Sequence, residues 1–319
     1  MDRFVGRTKP MWRTGRDASS HAAPPTPAGR RGEERRMSLL QRAGLFCNDT
    51  HDAKIVRATS VDDLSGAYRL VHDVFVQRGY IRPREGGLRV RLFEALPATA
   101  TFVAKAGGQV VGVTTAIIDS ADLGLPSDNV FASEIDALRA QGRVPCEGTN
   151  WAVAEPYRKS AVMSELMRCT FAHALAAGCT DFLGSVSPGH ARFYGLLGFE
   201  TLAGPKSYSS EVDDPVVLVR LDLTGLARRF RDIEASDNQV ERFLKRYYID
   251  ENPYHRFIAG WKVLAGRLFE DPLLLDELFA HRGRLLAGLD PHERQALGQR
   301  WGHEVLAAVE ARLASASAP

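Results

Sequence analysis

The pattern of apolar residues predicts an α/β fold, a mixed central sheet flanked by helices, followed by a C-terminal all-α extension. Three stretches carry that prediction. Two β-rich runs, 101–106 and 109–118, are separated by Gly107-Gly108, a pair suited to the positive φ angles of a tight hairpin turn. A small, apolar strand over 145–154 runs directly toward a helix in which Val162, Leu166, Thr170 and Ala174 repeat every four residues beside Met163, Met167, Phe171 and Leu175. Beyond Leu223 the two-residue alternation disappears and only helical spacings remain.

The chain has 319 residues, 45% hydrophobic and 25% charged, which suits one large or two modest globular domains. Its net charge of +2 is unevenly spread: residues 1–42 hold ten Lys or Arg against four Asp or Glu, leaving −4 for the remainder. This head has few large apolar side chains, so residues 1–50 are expected to form a disordered basic segment. No nucleic-acid partner is expected, and peripheral contact with an anionic membrane is the alternative use of such charge. No apolar run suits a secretory signal or a membrane span, and the four cysteines form no CxxC pair. A reduced, cytoplasmic setting follows as the expectation.

Residues 51–224 are assigned to one domain. It opens with a short strand over 54–59, and Ser60 then starts a helix with Asp63 placed as in a capping box. Leu64, Ala67, Val71, Val74 and Phe75 form that helix's buried face. A glycine- and arginine-rich loop follows, then the hairpin, the strand over 145–154, its helix ending at Gly178, a fifth strand and a short helix. Residues 225–319 read as a helical domain. Val240, Phe243, Leu244, Tyr247 and Tyr248 mark one helical face, and Ile258, Trp261, Ala265, Leu268 and Phe269 another. Asp271-Pro272 and Asp290-Pro291 each pair a cap with a proline at the first helical position. A single last helix is expected to carry Leu297, Trp301, Val305, Val309 and Leu313.

Chemistry is expected where the strand over 145–154 meets its helix. The first N–H groups of a helix lack intrahelical partners and sit at the positive end of its dipole, so a phosphate is a natural ligand there. Arg158 and Lys159 add charge at that point, although a solvated Arg-Lys pair reads the same way.

The flanking residues resemble a family. Ala152-Val153-Ala154-Glu155-Pro156-Tyr157-Arg158, followed by Phe193-Tyr194-Gly195-Leu196-Leu197-Gly198-Phe199, is similar to the paired motifs of the GCN5-related N-acyltransferase superfamily, with one extra residue before the proline. The stretch 67–80 looks like the first helix of the FeeM-type long-chain N-acyl amino acid synthases, relatives of the acyl-homoserine lactone synthases. Leu125-Pro126, the run 134–143 and Glu147 are also similar to that family. The similarity spans roughly residues 53 to 223. It implies the GCN5-related N-acyltransferase fold and transfer of a fatty acyl group from acyl carrier protein to the amine of an amino acid, with no metal. One departure matters: the superfamily follows its Arg with glycines that admit a coenzyme A pyrophosphate, and here Lys159-Ser160-Ala161 stand instead. A carrier-borne phosphopantetheine, with one phosphodiester, asks less of this loop than acyl-CoA does.

Aminolysis of a thioester needs a neutral amine, a proton acceptor, a partner for the carbonyl oxygen and an exit for the thiolate. The resemblance implies Glu147 as the base. An unperturbed Glu titrates near ~4.3 and an α-amine near ~8, a gap of about 5 kcal/mol, so desolvation must raise Glu147 or it must act through water. Tyr194 is the matching candidate acid, better suited to hydrogen-bonding the departing sulfur than to giving up its proton. Acyl-donor binding is assigned to Trp151, Ala152, Val153, Arg158, Lys159, Ser160 and Ala161, with backbone N–H groups of 151–153 facing the thioester oxygen. Among Arg82, Arg84, Arg89 and Arg91, which are available for the acceptor's carboxylate, Arg82 and Arg84 are taken. Two other readings remain: an acyl-CoA-dependent N-acetyltransferase, and a non-catalytic module that binds an acyl chain or a partner on the same fold.

Overall fold

A computed structural model describes residues 27–209, 212–233, 238–282 and 284–316. Gly107 and Gly108 both take positive φ, 55° and 82°, so β2 (Ala100–Ala106) turns tightly into β3 (Gln109–Ile118), as the sequence predicts. Around this hairpin stand β1 (Lys54–Arg57), β4 (Pro145–Val153), β5 (Asp181–Val186), β6 (Glu200–Ser209) and β7 (Val212–Asp222). The seven strands are ordered β1-β2-β3-β4-β5-β7-β6. All neighbours are antiparallel except β4 and β5. This is the mixed sheet, flanked by helices, that the resemblance implied.

Helix α2 (Val61–Gln77) starts where Ser60 accepts a hydrogen bond from the Asp63 N–H. The Asp63 carboxylate does not close a capping box, because it pairs with Lys105 on β2. The apolar side of α2 meets Val103, Val113 and Ala152 on one face of the sheet. On the same face, α3 (Asp128–Ala140) packs Phe131, Ile135 and Leu138 against Ile117 and Leu183. The opposite face is covered by α4 (Val162–Ala176), whose Val162, Leu166 and Cys169 meet Phe102 and Ala104. The short α5 (Pro188–Leu196) packs beside it.

The helices outside the sheet differ from expectation in three ways. Residues 27–42 form α1 (Pro27–Arg42), with Leu40 fully buried, so the expected disorder through residue 50 fails there; residues 1–26 lie outside the described residues. Met37 and Leu40 are apolar positions among the arginines, and they join a cluster with Leu244 and Tyr248. Aliphatic residues next to long polar stems suffice for that docking.

Beyond Asp222, the helices include α6 (Leu223–Asp232), α7 (Gln239–Lys245), α8 (Ile258–Gly266), α9 (Pro272–Leu275), α10 (Pro291–Trp301) and α11 (His303–Ala316). These do not share a core of their own. Tyr248 and Tyr254 pack against the α4 side, while Phe279, Leu297, Trp301 and Val309 join the α2 cluster. Trp301 anchors the second group by donating its indole N–H to the Ala95 carbonyl at 2.8 Å. The expected single last helix is two, since Gly302 at φ 93° breaks it between α10 and α11.

Candidate active site

The site forms where the parallel pair comes apart. β4 and β5 pair only through Pro145, Cys146 and Glu147, opposite Asp181, Phe182 and Leu183, although both strands continue. On the other side of β4, Asn150 and Trp151 face the single residue Thr114 of β3, a bulge with Asn150 in the left-handed region at φ 57°. Splay and bulge together open a cavity of about 360 Å³. Its wall is mainly apolar: Val74, Phe75, Ala152, Val153, Met163, Met167, Val186, Phe193 and Val216 all contribute.

Polar groups converge on this apolar space. Glu147 ends the paired part of β4 and is 1% exposed. Its Oε2 accepts the Ser127 N–H at 2.9 Å, just before α3. Burial raises its carboxyl to about 7, against the opposing pull of the Ser127 hydrogen bond and the Arg91 charge. The wall beside it holds Arg89 and Arg91. Arg91 pairs with buried Glu94, and Arg89 donates to Asn150 Oδ1 at 2.9 Å. Asn150 Nδ2 donates on to Glu94 Oε1 at 2.9 Å and to Thr115 Oγ1 at 3.2 Å. Thus the bulge aims an amide that ties two arginines to one carboxylate. Tyr208 of β6 and Tyr194 of α5 also face the cavity, and burial pushes each phenol up to about 12.

Residues 66–222 match the family model described as "N-acyl amino acid synthase FeeM". Over these residues the chain is similar to the FeeM-type acyltransferases. Among solved structures, FeeM itself, an N-acyl amino acid synthase from uncultured soil microbes, is 25% identical, covering 54% of this chain and 92% of its own, with a TM-score of 0.48. BjaI, a CoA-dependent acyl-homoserine lactone synthase solved with SAM and isopentyl-CoA, is 20% identical over 60% of this chain and 98% of its own, with a TM-score of 0.40. An acetyltransferase of the GNAT family from Streptococcus pneumoniae is 14% identical over 53% and 98%, with a TM-score of 0.38. No curated protein matches the chain.

The structure brings together some of the residues picked from sequence and separates others. Glu147, Tyr194, Trp151, Ala152, Val153 and Arg158 all line the cavity. Lys159, Ser160 and Ala161 do not. The Ser160 N–H goes to the Tyr157 carbonyl, the Ala161 N–H to Asp49 at 2.7 Å, and the Val162 N–H to Ser160 Oγ. Helix α4 therefore spends N–H groups at its start on its own chain instead of presenting them to a phosphate. Arg158 lines the cavity, its guanidinium hydrogen-bonded to the Val153 carbonyl and to Gln77 Oε1.

Arg82 and Arg84 are displaced by their neighbours in sequence. Arg82 is exposed and neither lines the cavity, while Arg89 and Arg91 do. The reason is the loop's packing: Leu88, Val90 and Leu92 are buried among the α2 and C-terminal helices, which turns the residues between them toward the site. Alternating apolar residues at 88, 90 and 92 were the available sequence signal. Ser127, Ser185 and Tyr208 had none, because each meets the site from a distant part of the chain. Among the described residues, no group of His, Cys, Asp and Glu is placed to hold a metal, and no helix is long and apolar enough to cross a membrane.

Proposed function

We propose that this acyltransferase moves a fatty acyl group from a thioester on acyl carrier protein to the amine of an amino acid. The observation that carries the reading is the state of Glu147: a buried carboxyl at about 7, facing a cavity with a mainly apolar wall. Raising the base from ~4.3 to about 7 cuts its mismatch with an α-amine near ~8 from about 5 to roughly 1.4 kcal/mol. Glu147 can then take a proton from the bound ammonium, which frees the nitrogen lone pair to add to the thioester carbon. The proton nitrogen sheds after addition leaves with the departing thiolate as thiol, and N–H groups of the splayed β4 backbone are the candidates for the carbonyl oxygen.

Charge supports an amino acid as acceptor. Arg89 and Arg91 line the cavity beside Glu147. A zwitterion satisfies both, its carboxylate toward the arginines and its ammonium toward Glu147. The apolar wall suits a long chain, at up to ~0.8 kcal/mol per buried methylene. The occupied N–H groups at the start of α4 favour a donor with a single phosphodiester near Arg158 over a coenzyme A pyrophosphate.

The test is mass spectrometry of lipid extracts from cells making the chain or its Glu147→Gln variant. Acyl amino acids present with the first and absent with the second are expected. Purified protein offered acyl carrier protein or acyl-CoA should prefer the carrier. If folded protein yields no acyl amino acid with either donor, the reading fails.

A further inference from the structure

Asn150 is a part of the cavity wall to which the acyl-transfer chemistry gives no task. Its φ of 57° makes the bulge on β4, and the residue is 2% exposed. A guanidinium only donates and an ionised carboxylate only accepts, so the amide between them has one orientation. Oδ1 accepts from Arg89 Nη1 and Nδ2 donates to Glu94 Oε1, each at 2.9 Å. Thr115 Oγ1 stands 3.2 Å from the same Nδ2, on which a second hydrogen is available. Arg89 is 4% exposed and lies over the Phe75 ring, 5.1 Å from its centroid. Its guanidinium is thus held on one face by an aromatic ring and at one edge by an amide, and Phe75, Arg89 and Asn150 all line the cavity with Glu147.

We infer that Asn150 is a positioning residue whose amide sets the Arg89 guanidinium for the acceptor's carboxylate, and so selects amino acids over amines that lack one. The inference rests on the acyl-transfer reading and adds the residue that sets acceptor choice. A planar guanidinium recognises a carboxylate through paired N–H groups, so its orientation counts as much as its charge. Phe75 alone leaves that plane free to turn about the ring normal; the Asn150 carbonyl fixes the turn, and Glu94 and Thr115 fix Asn150. An aspartate could hold Arg89 as firmly, but it would set a further negative charge against Glu94 and against the incoming carboxylate. The neutral amide holds the arginine without that repulsion.

Asn150→Gly isolates the side chain, because glycine takes a positive φ without strain and the bulge can survive. A mixture of the twenty common amino acids, given to the purified full chain with an acyl donor, identifies the one acylated; its pair is the same compound without the carboxylate. The wild type should favour the amino acid in kcat/KM. In Asn150→Gly that preference should shrink by about tenfold to a hundredfold, through a higher KM for the amino acid, while the amine is affected far less. Arg89→Met should shrink it at least as much, and the double variant no further than Arg89→Met alone, since both act through one guanidinium. Asn150→Asp, which keeps the size and tolerates the same φ, should also lose the preference and covers the case in which glycine loosens the fold.

A preference that survives in the folded Asn150 variants, or a wild type that has none, overturns the inference while leaving acyl transfer standing. Equal losses with amino acid and amine also overturn it, since they mark a damaged cavity wall and not a lost carboxylate contact. A wild type that acylates neither compound overturns the acyl-transfer reading and the inference together.

Discussion

Glu94 and Glu147 are both almost fully buried near one cavity, and their surroundings drive them in opposite directions. Burial pushes Glu94 up too, but the Arg91 charge and hydrogen bonds, with Arg89 and Asn150 behind them, outweigh it and hold the carboxyl below its ordinary value. Glu147 accepts the Ser127 N–H and feels the Arg91 charge without hydrogen-bonding to it, so burial wins and the carboxyl rises to about 7. A fully compensated buried charge braces a wall. A partly compensated one is left able to take a proton near neutrality.

The largest effect should come from removing the proposed base. Glu147→Gln should lower kcat by about 10² to 10⁴. The wild-type rate should climb with pH and level off above about 7, as Glu147 ionises; a rate that is flat from pH 5 to 8 would break the contrast. Removing the bracing member should act on stability instead. Glu94→Ala strands Arg91 in a buried wall and should cost about 3–5 kcal/mol in denaturant unfolding.

Stability against pH sharpens the comparison. A carboxyl raised from its ordinary 4.5 to about 7 destabilises the fold when ionised, so Glu147 removes about 3 kcal/mol as pH rises through that window. His173 on α4 works the other way. Burial, then the charges of Arg57 and Lys262, lowers it from 6.5 to about 4, so the fold loses stability as pH falls across that interval. Between pH 4.5 and 6.5 the two slopes should nearly cancel in the wild type. In Glu147→Gln the His173 slope should stand alone, at about 1.4 kcal/mol per pH unit, stability rising with pH. Urea unfolding at three pH values reads it directly.

What the sequence discloses divides along similar lines. The hairpin, the β4–α4 junction and Glu147 were legible because each depends on a local pattern: Gly107-Gly108, an apolar strand, a motif within a few residues. Which arginines line the cavity was not legible, because which residues of an irregular loop turn inward depends on the buried Leu88, Val90 and Leu92 and on the C-terminal helices covering them. Helix α1 was missed because its docking needs only a few apolar positions in a strongly basic stretch, and its partners, Leu244 and Tyr248, lie about two hundred residues away. The hydroxyls of Ser127 and Ser185 share a hydrogen bond, and such a contact has no signature in either segment.

The smallest effect tests Tyr194, the candidate acid. Tyr194 does line the cavity, set edge-on to Phe199 with ring centroids 5.2 Å apart. Burial carries its phenol to about 12, however, so giving its proton to a thiolate near ~8.5 would be uphill by about 5 kcal/mol. Tyr194 therefore fits a hydrogen-bond donor to the departing sulfur and not a completed acid. Tyr194→Phe keeps the ring packing and removes one neutral hydrogen bond, worth about 0.5–1.5 kcal/mol, so kcat should fall by roughly twofold to tenfold. A loss approaching that of Glu147→Gln would mean that proton transfer to sulfur limits the rate, and the contrast between one reactive and one supporting residue would have to be redrawn around both.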